Sequence, residues 1–321
     1  MDSEASSGYP HATWRLIVDG DAGGATNMAV DEAILNGVID GTSLPTLRFY
    51  VWSPPCLSLG RSQGLAEADL AACRAAGVDI VRRPTGGRSI LHTDELTYSV
   101  SLLQTDPRTK GGIVDGYRRL SEGLLAGLQD LGVEATQAAG QRTPASETTA
   151  VCFETPSDYE ITVGGRKLVG SAQWRARGGV LQHGTLPLCG DLARIVDYLA
   201  FSDVERIAQR RRLHLKALTM EEATGAAFPF DRVAQALAGG FARHIRLQHA
   251  VTIGLLPDIP LDRFELVGNG SLAGAYLRLV EAGAAEKDRA LIDRPEIVEL
   301  NLDPQFETRF IDALAMPGRA G

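Results

Sequence analysis

The sequence predicts an α/β protein, a mixed β-sheet flanked by helices, and three observations carry that expectation. Leu96, Tyr98, Val100 and Leu102 alternate with Thr97, Ser99 and Ser101, the period-two pattern of a strand with one buried face. Tyr117, Leu120, Leu124, Leu128 and Leu131 form a stripe at helical spacing that Gly132 stops. Asp158 to Val163 and Arg166 to Ser171 are strand-like runs joined by Gly164-Gly165, a pair suited to a tight primed turn.

The remaining elements are read in chain order. Trp14 to Val18 predicts a short strand, and Thr26-Asn27 offers an N-cap for a helix with Val30, Ile34 and Val38 on one face, ended by Gly41. Leu47 to Trp52 is aromatic and β-branched, a strand that Pro54-Pro55 stops before a second one at Cys56 to Leu59. Leu65 to Ala76 is alanine-rich and closed by Gly77, as a helix would be. Val78 to Arg83 then reads as a buried strand, with a glycine turn and another strand after it. Residues 139 to 150 hold almost nothing apolar and predict an exposed loop leading into Cys152. Gly179 to His183 is another strand. From Asp191 the chain turns helical, with Leu192, Ile195, Val196 and Leu199 on one face, a cap at Thr219 to Glu222, and a further helix over Phe230 to Ile245. The expected organisation is a disordered N-terminus over 1–11, a catalytic domain over 12–250, and a smaller helical C-terminal extension over 251–321.

Composition narrows the function classes. With 321 residues, 44% of them hydrophobic, the chain can bury a substantial core. Lys and Arg total 32 against 40 Asp and Glu, and the net charge of -8 opposes nucleic-acid binding. Arg210-Arg211-Arg212 is the one basic run, read either as a solvated helix end or as a docking patch for an acidic carrier protein. Neither a secretory signal nor a run of about 18 apolar residues is visible, so a cytoplasmic protein without a membrane role is expected. Four cysteines, Cys56, Cys73, Cys152 and Cys189, stand apart without a C-x-x-C pair, against a zinc site; no metal is expected.

Two places concentrate chemistry. In Arg82-Arg83-Pro84-Thr85-Gly86-Gly87-Arg88, two glycines after a strand allow close backbone approach and offer amide N–H groups to a carbonyl or phosphate oxygen; His92, Asp94 and Glu95 come soon after. The alternative is a turn on a charged hairpin rim. The second place runs from Val151-Cys152-Phe153 to Tyr159, then from Gly165-Arg166-Lys167 to Gln173. There Cys152 is either a small core hydrophobe or a nucleophile, and Lys167 either a surface lysine or a cation at a strand end facing a pocket. His183 is open in the same way, a satisfied core histidine or a pocket residue. Cys56 and Cys73 read as packing residues, and Cys189 is the rival nucleophile.

Together these strings resemble the biotin/lipoate ligase and octanoyltransferase superfamily, from about Trp14 to Arg246. The resemblance implies a catalytic domain like those of biotin ligases and class II synthetases. It also implies an acyl-binding surface of Arg83, Thr85, Gly86, Gly87, Arg88, His92, Gly170, Ser171, Ala172, His183 and Gly184. Ligases of the superfamily usually carry glycine where Arg88 stands, a Gly-Asn pair at Glu95-Leu96, and no cysteine at Cys152, whereas Cys152 to Ile161 is similar to octanoyltransferases of the LipM type. The resemblance therefore implies an N-octanoyltransferase in which Cys152 takes octanoyl from an octanoyl-acyl carrier protein and passes it to the lysine of a lipoyl domain, such as a glycine-cleavage H protein or a 2-oxoacid dehydrogenase E2. Lys167 would lower the Cys152 pKa and hold the acyl oxygen, and His92 is a candidate to deprotonate the acceptor amine. A thioester is already activated, so no cofactor is expected. An ATP-dependent lipoate-protein ligase, an octanoyl amidotransferase between lipoyl domains, and a non-catalytic lipoyl- or biotinyl-binding protein are the alternatives.

Overall fold

The computed structural model describes residues 9–138 and 160–245, and the backbone of three further strands at Leu247–Ile253, Phe264–Val267 and Tyr276–Leu279. Residues 1–8, the polar loop over 139–150, Cys152 and the connector at 255–260 lie outside the described residues.

Eight strands build the main sheet: β1 (Ala12–Ala22), β2 (Thr46–Trp52), β6 (Glu95–Leu103), β7 (Thr136–Gln137), β8 (Ile161–Val163), β9 (Arg166–Ala176), β10 (Gly179–Pro187) and β11 (Leu247–Ile253). Their order is β11-β1-β2-β6-β10-β9-β8-β7. The β1–β2 and β1–β11 pairs are parallel and the remaining pairs antiparallel, so the sheet is mixed, as expected. A small sheet of β3 (Cys56–Leu59), β4 (Asp79–Arg82) and β5 (Ile90–His92) stands apart, in the order β4-β3-β5. Of the C-terminal extension, expected to be helical, the described residues are instead extended: the end of β11 and an antiparallel pair, β12 (Phe264–Val267) and β13 (Tyr276–Leu279).

Helix α1 (Gly24–Ile39) crosses from β1 to β2, while α3 (Ile113–Asp130) and α6 (Phe230–His244) lie together over the main core. Leu120, Leu124 and Leu128 of α3 and Val233, Leu237 and Phe241 of α6 meet Leu96, Tyr98, Val100 and Leu102 of β6 there. Each Leu, Val or Phe among them contributes roughly 1.5–3 kcal/mol on full burial. The other face of β6 is not open to solvent: every residue from Glu95 to Leu102 is buried. Since a right-handed crossover must lay its helix on the sheet, the hydroxyl-bearing side of the strand comes to rest beneath α1 and requires polar partners. Ser99 donates to Asp31 at 2.8 Å and Thr97 to Glu95 at 2.7 Å, while Arg48 holds Asp31 in turn, donating to it at 2.9 Å, to Asp19 at 2.6 Å and to the Asn27 side chain at 3.0 Å.

Three local expectations are corrected. Helix α1 begins at Gly24, and Asn27 is inside it rather than capping it, its amide donating to the carbonyls of Ala22 and Val51. The run from Leu65 to Ala76 splits into a 3-10 turn (Leu65–Glu67) and α2 (Leu70–Ala76), because Ala68 bridges Leu199 in extended form and Asp69 caps α2 through Ala72 N–H. Finally, β4 and β5 are not hairpin partners, since β3 lies between them. The glycine segment is therefore a crossover loop over the end of β3, not a hairpin rim.

Candidate active site

The loop between β4 and β5 is held from beneath by Arg83. Its guanidinium is buried and donates to the carbonyls of Ser58 (2.9 Å), Gly86 (3.0 Å) and Arg88 (2.6 Å), and to Ser58 Oγ (3.0 Å). Arg82 clamps the facing turn through the carbonyls of Gly60, Arg61 and Gln63. Gly87 has φ +91°, in the region that favours glycine, and a Cβ on Gly60 would stand only 2.0 Å from the Gly87 carbonyl oxygen. Gly86, by contrast, has open space where a Cβ would project. The backbone is thus fixed on one side and free on the other, as a surface meant to receive a ligand requires. Arg88 is half-exposed, 3.8 Å from Glu67.

Two histidines tie this loop to the sheet. His92 lies between Ser58 Oγ at 2.7 Å and Glu95 Oε1 at 2.6 Å, and its ring stacks on Trp52 at 4.0 Å. Arg83 donates to Ser58 Oγ, and His92 links that serine to Glu95 through its two ring nitrogens. With both ring nitrogens engaged, His92 is placed to orient Ser58 and, through it, Arg83 and the glycine loop. His183 bonds Thr85 Oγ1 at 2.6 Å and faces Asp31 at 3.6 Å. Burial lowers the His183 pKa against the pull of Asp31, so the ring is neutral near pH 7.

The second half of the site is the β8–β9–β10 region. Gly164 and Gly165, at φ +57° and +77°, make the expected tight turn. Gly170, Ser171 and Ala172 of β9 pair with Thr185, Gly184 and His183 of β10. Tyr98 donates to Ser171 Oγ at 2.6 Å and receives Gln182 Nε2 at 3.0 Å. A Cβ on Gly184 would approach both the Tyr98 ring and Ser171 to about 2.6 Å. Burial pushes the Tyr98 hydroxyl up to about 12.

Lys167 departs furthest from a surface lysine. It is fully buried, and its Nζ lies 2.5 Å from Glu160 Oε1. The backbone around it is anchored as well, since Leu218 N–H donates to the Lys167 carbonyl. Glu160 gives the buried Lys167 head a carboxylate partner away from water. Sequence reasoning overlooked Glu160 as a functional residue, although a carboxylate next to the apolar Ile161 was the available signal. It also missed Ser58 and Asp31, whose spatial partners are far away in the chain.

Thr85 of the glycine loop thus meets His183, Gly170 to Ala172 pair with Thr185 to His183, and Lys167 stands near the start of the same β9 strand. Among the cysteines, Cys56 and Cys73 are buried and their thiols are pushed up by burial, in keeping with packing roles. Cys189 is shifted up by burial and by Asp94 and Glu221, the wrong direction for a thiolate nucleophile. Among the described residues there is no cluster that could hold a metal ion, and no helix long and apolar enough to cross a membrane.

A family model described as the lipoyl protein ligase A/B catalytic domain matches residues 24–242, more than half of the chain. The chain belongs to this family. Within the family, a Moorella thermoacetica protein named octanoyltransferase LipM is 49% identical over 224 residues, covering 67% of this chain and 80% of that protein. A LipM from Carboxydothermus hydrogenoformans is 41% identical over 232 residues, covering 72% and 86%. Among solved structures, an archaeal bi-partite lipoate protein ligase from Thermoplasma acidophilum, described with its E2 lipoyl domain, matches with a TM-score of 0.61 at 22% identity over 74% of this chain and 86% of that one. A lipoate-protein ligase A bound with ATP gives 0.60 at 23% identity over 74% and 87%. At these identities the two structures share the fold. A second model, the C-terminal domain of RACo, the ASKHA domain, matches residues 217–320, less than half of the chain. It overlaps α6, whose Val233, Leu237 and Phe241 belong to the main core.

Proposed function

We propose that this protein is an octanoyltransferase of protein lipoylation that carries the acyl group on Cys152, with Lys167 as its fixed cation. The observation that carries this reading is the buried Glu160–Lys167 pair, in a chain 38–49% identical to proteins named octanoyltransferase LipM. Binding alone gives no reason to bury a charged lysine at a strand end. A cation held there has a use where negative charge develops on a thiolate or an acyl oxygen.

In the first half-reaction the Cys152 thiolate attacks the acyl carbon of a carrier-protein thioester; the new C–S bond forms and the carrier thiolate leaves, taking up a proton. In the second, the lysine amine of a lipoyl domain attacks the Cys152 thioester, the amide forms, and the Cys152 thiol is restored with the proton the amine gives up. Lys167, together with amide N–H groups near Gly86 and Gly87, stabilises the oxyanion in both steps. Arg83 fixes those amides beforehand, so little reorganisation is needed at the moment of reaction. Gly170 to Ala172 and His183-Gly184 line the acyl chain, where each buried methylene contributes about 0.8 kcal/mol.

Intact-mass measurement after mixing the protein with octanoyl-acyl carrier protein, without ATP, tests this. An octanoyl adduct located on Cys152 by peptide mapping, then lost on adding a lipoyl domain, is the expected result. Lipoylation of the domain that requires free lipoate and ATP would overturn it in favour of a ligase.

A further inference from the structure

Helix α4 (Asp203–Lys216) has a solvent face that its fold does not explain. Its inner side is tied down by Leu213 in the core and by ion pairs, Arg206 to Asp69 at 3.2 Å and Arg210 to Asp197 at 2.8 Å and Asp191 at 3.2 Å. Arg210 is therefore part of the scaffold. Val204, Ile207 and Leu215, however, are 79%, 59% and 74% exposed. With Arg211 they fall at helical spacing on one side, and Arg211 and Lys216 make no ion pair with a described residue. Acidic residues at the start of the helix and basic ones at its end suit the helix dipole, which accounts for Asp203 and Lys216. The dipole offers no reason for three large apolar side chains in water, and exposed apolar patches of this kind mark interaction sites.

The stripe ends at the candidate active site. Ala217, two residues beyond Leu215, forms a parallel bridge with Lys167, and its carbonyl lies 3.4 Å from Arg166 Nη1. From Leu215 the exposed side chains run back to Val204, about 16 Å along the helix at 1.5 Å per residue. We infer that this face of α4, Val204, Ile207, Arg211, Leu215 and Lys216, is the docking surface for the acyl donor, an acidic carrier protein with apolar side chains among its carboxylates. This rests on the octanoyltransferase reading proposed for the site. Charge complementarity favours an acidic partner at the Arg211–Lys216 end, although the protein as a whole is at -8. Reach favours the donor over the acceptor. A carrier presents its thioester on a long flexible arm and can sit well back from Lys167, whereas a lysine side chain on a lipoyl domain brings its own fold right up to the reacting carbon.

Two double variants test the surface, Ile207→Glu/Leu215→Glu and Arg211→Glu/Lys216→Glu, with Ile113→Glu/Val114→Glu on the exposed start of α3 as a control patch. The rate of octanoyl adduct formation is measured with octanoyl-acyl carrier protein and with the small thioester octanoyl-N-acetylcysteamine. Both α4 variants should lose tenfold or more in kcat/KM for the carrier substrate, about 1.4 kcal/mol or more in transition-state free energy. They should stay within about twofold of wild type on the small thioester, and the control should match wild type on both. Wild-type acylation by the carrier should weaken with added salt. Equal losses on both thioesters, or none on either, would overturn the assignment. So would a loss confined to transfer onto the lipoyl domain, or a wild-type dimer that the α4 variants dissolve. A wild type that forms the adduct from the small thioester alone would refute donor docking while leaving the transferase reading intact. A wild type acylated by neither thioester would bring down both.

Discussion

Lys167 Nζ stands 2.5 Å from Glu160 Oε1, the lysine side chain fully shielded and that of the glutamate only 3% exposed. Both partners are shielded from water. Lys167→Ala and Glu160→Ala should each cost roughly 3–5 kcal/mol in urea unfolding, because each strands a buried charge. The double variant Lys167→Met/Glu160→Leu should recover most of that stability and still form no octanoyl adduct. Recovery of acylation along with stability would make the pair a structural element and no more.

The two glycines of the loop should behave differently. Gly87→Ala forces a Cβ into φ +91° and should destabilise by about 1 kcal/mol or more. Gly86→Leu meets no atom within 4 Å at the Cβ position and should fold with an unchanged melting temperature, yet its side chain would fill the open side of the loop. Its KM for the octanoyl thioester should rise tenfold or more. Unaltered kinetics in a folded Gly86→Leu protein would place the acyl chain elsewhere.

Cys152→Ala should abolish the adduct, whereas Cys189→Ala should keep most activity, since burial, Asp94 and Glu221 all oppose a thiolate at Cys189. Mass measurement of the adduct in both variants decides. An adduct that persists in Cys152→Ala and vanishes in Cys189→Ala would transfer the nucleophile.

His183 gives stability a pH dependence with a definite sign. Its folded pKa is lowered from 6.5, chiefly by burial. As pH falls below about 6.5 the unfolded chain takes up a proton that the native ring refuses, so this contribution to stability is present above 6.5 and is lost toward the folded value. His183→Gln should flatten the slope of unfolding free energy against pH in that window, measured by urea titration from pH 7.5 to 5. An identical slope in variant and wild type would mean that another group titrates there.

Features encoded by neighbours along the chain were legible without any structure. The alternation at Leu96 to Leu102, the stripe of α3, the Gly164-Gly165 turn, and the strings around Gly86-Gly87 and Lys167 all belong to this class, because period and turn chemistry are local properties. The same strings pointed to the family, and Glu160 stood in plain view beside Ile161 without its role being readable. It took the folded chain to show that Thr97 and Ser99 lie beneath α1 and that β3 separates β4 from β5. Folding also placed Asp31 against His183 and Ser58 against His92, and hid Lys167 from water. The two histidine contacts join residues 34 and 152 positions apart, where nothing local marks one partner for the other. Strand order and the path of a crossover helix choose the partners, through the requirement that every polar group they bury must find one.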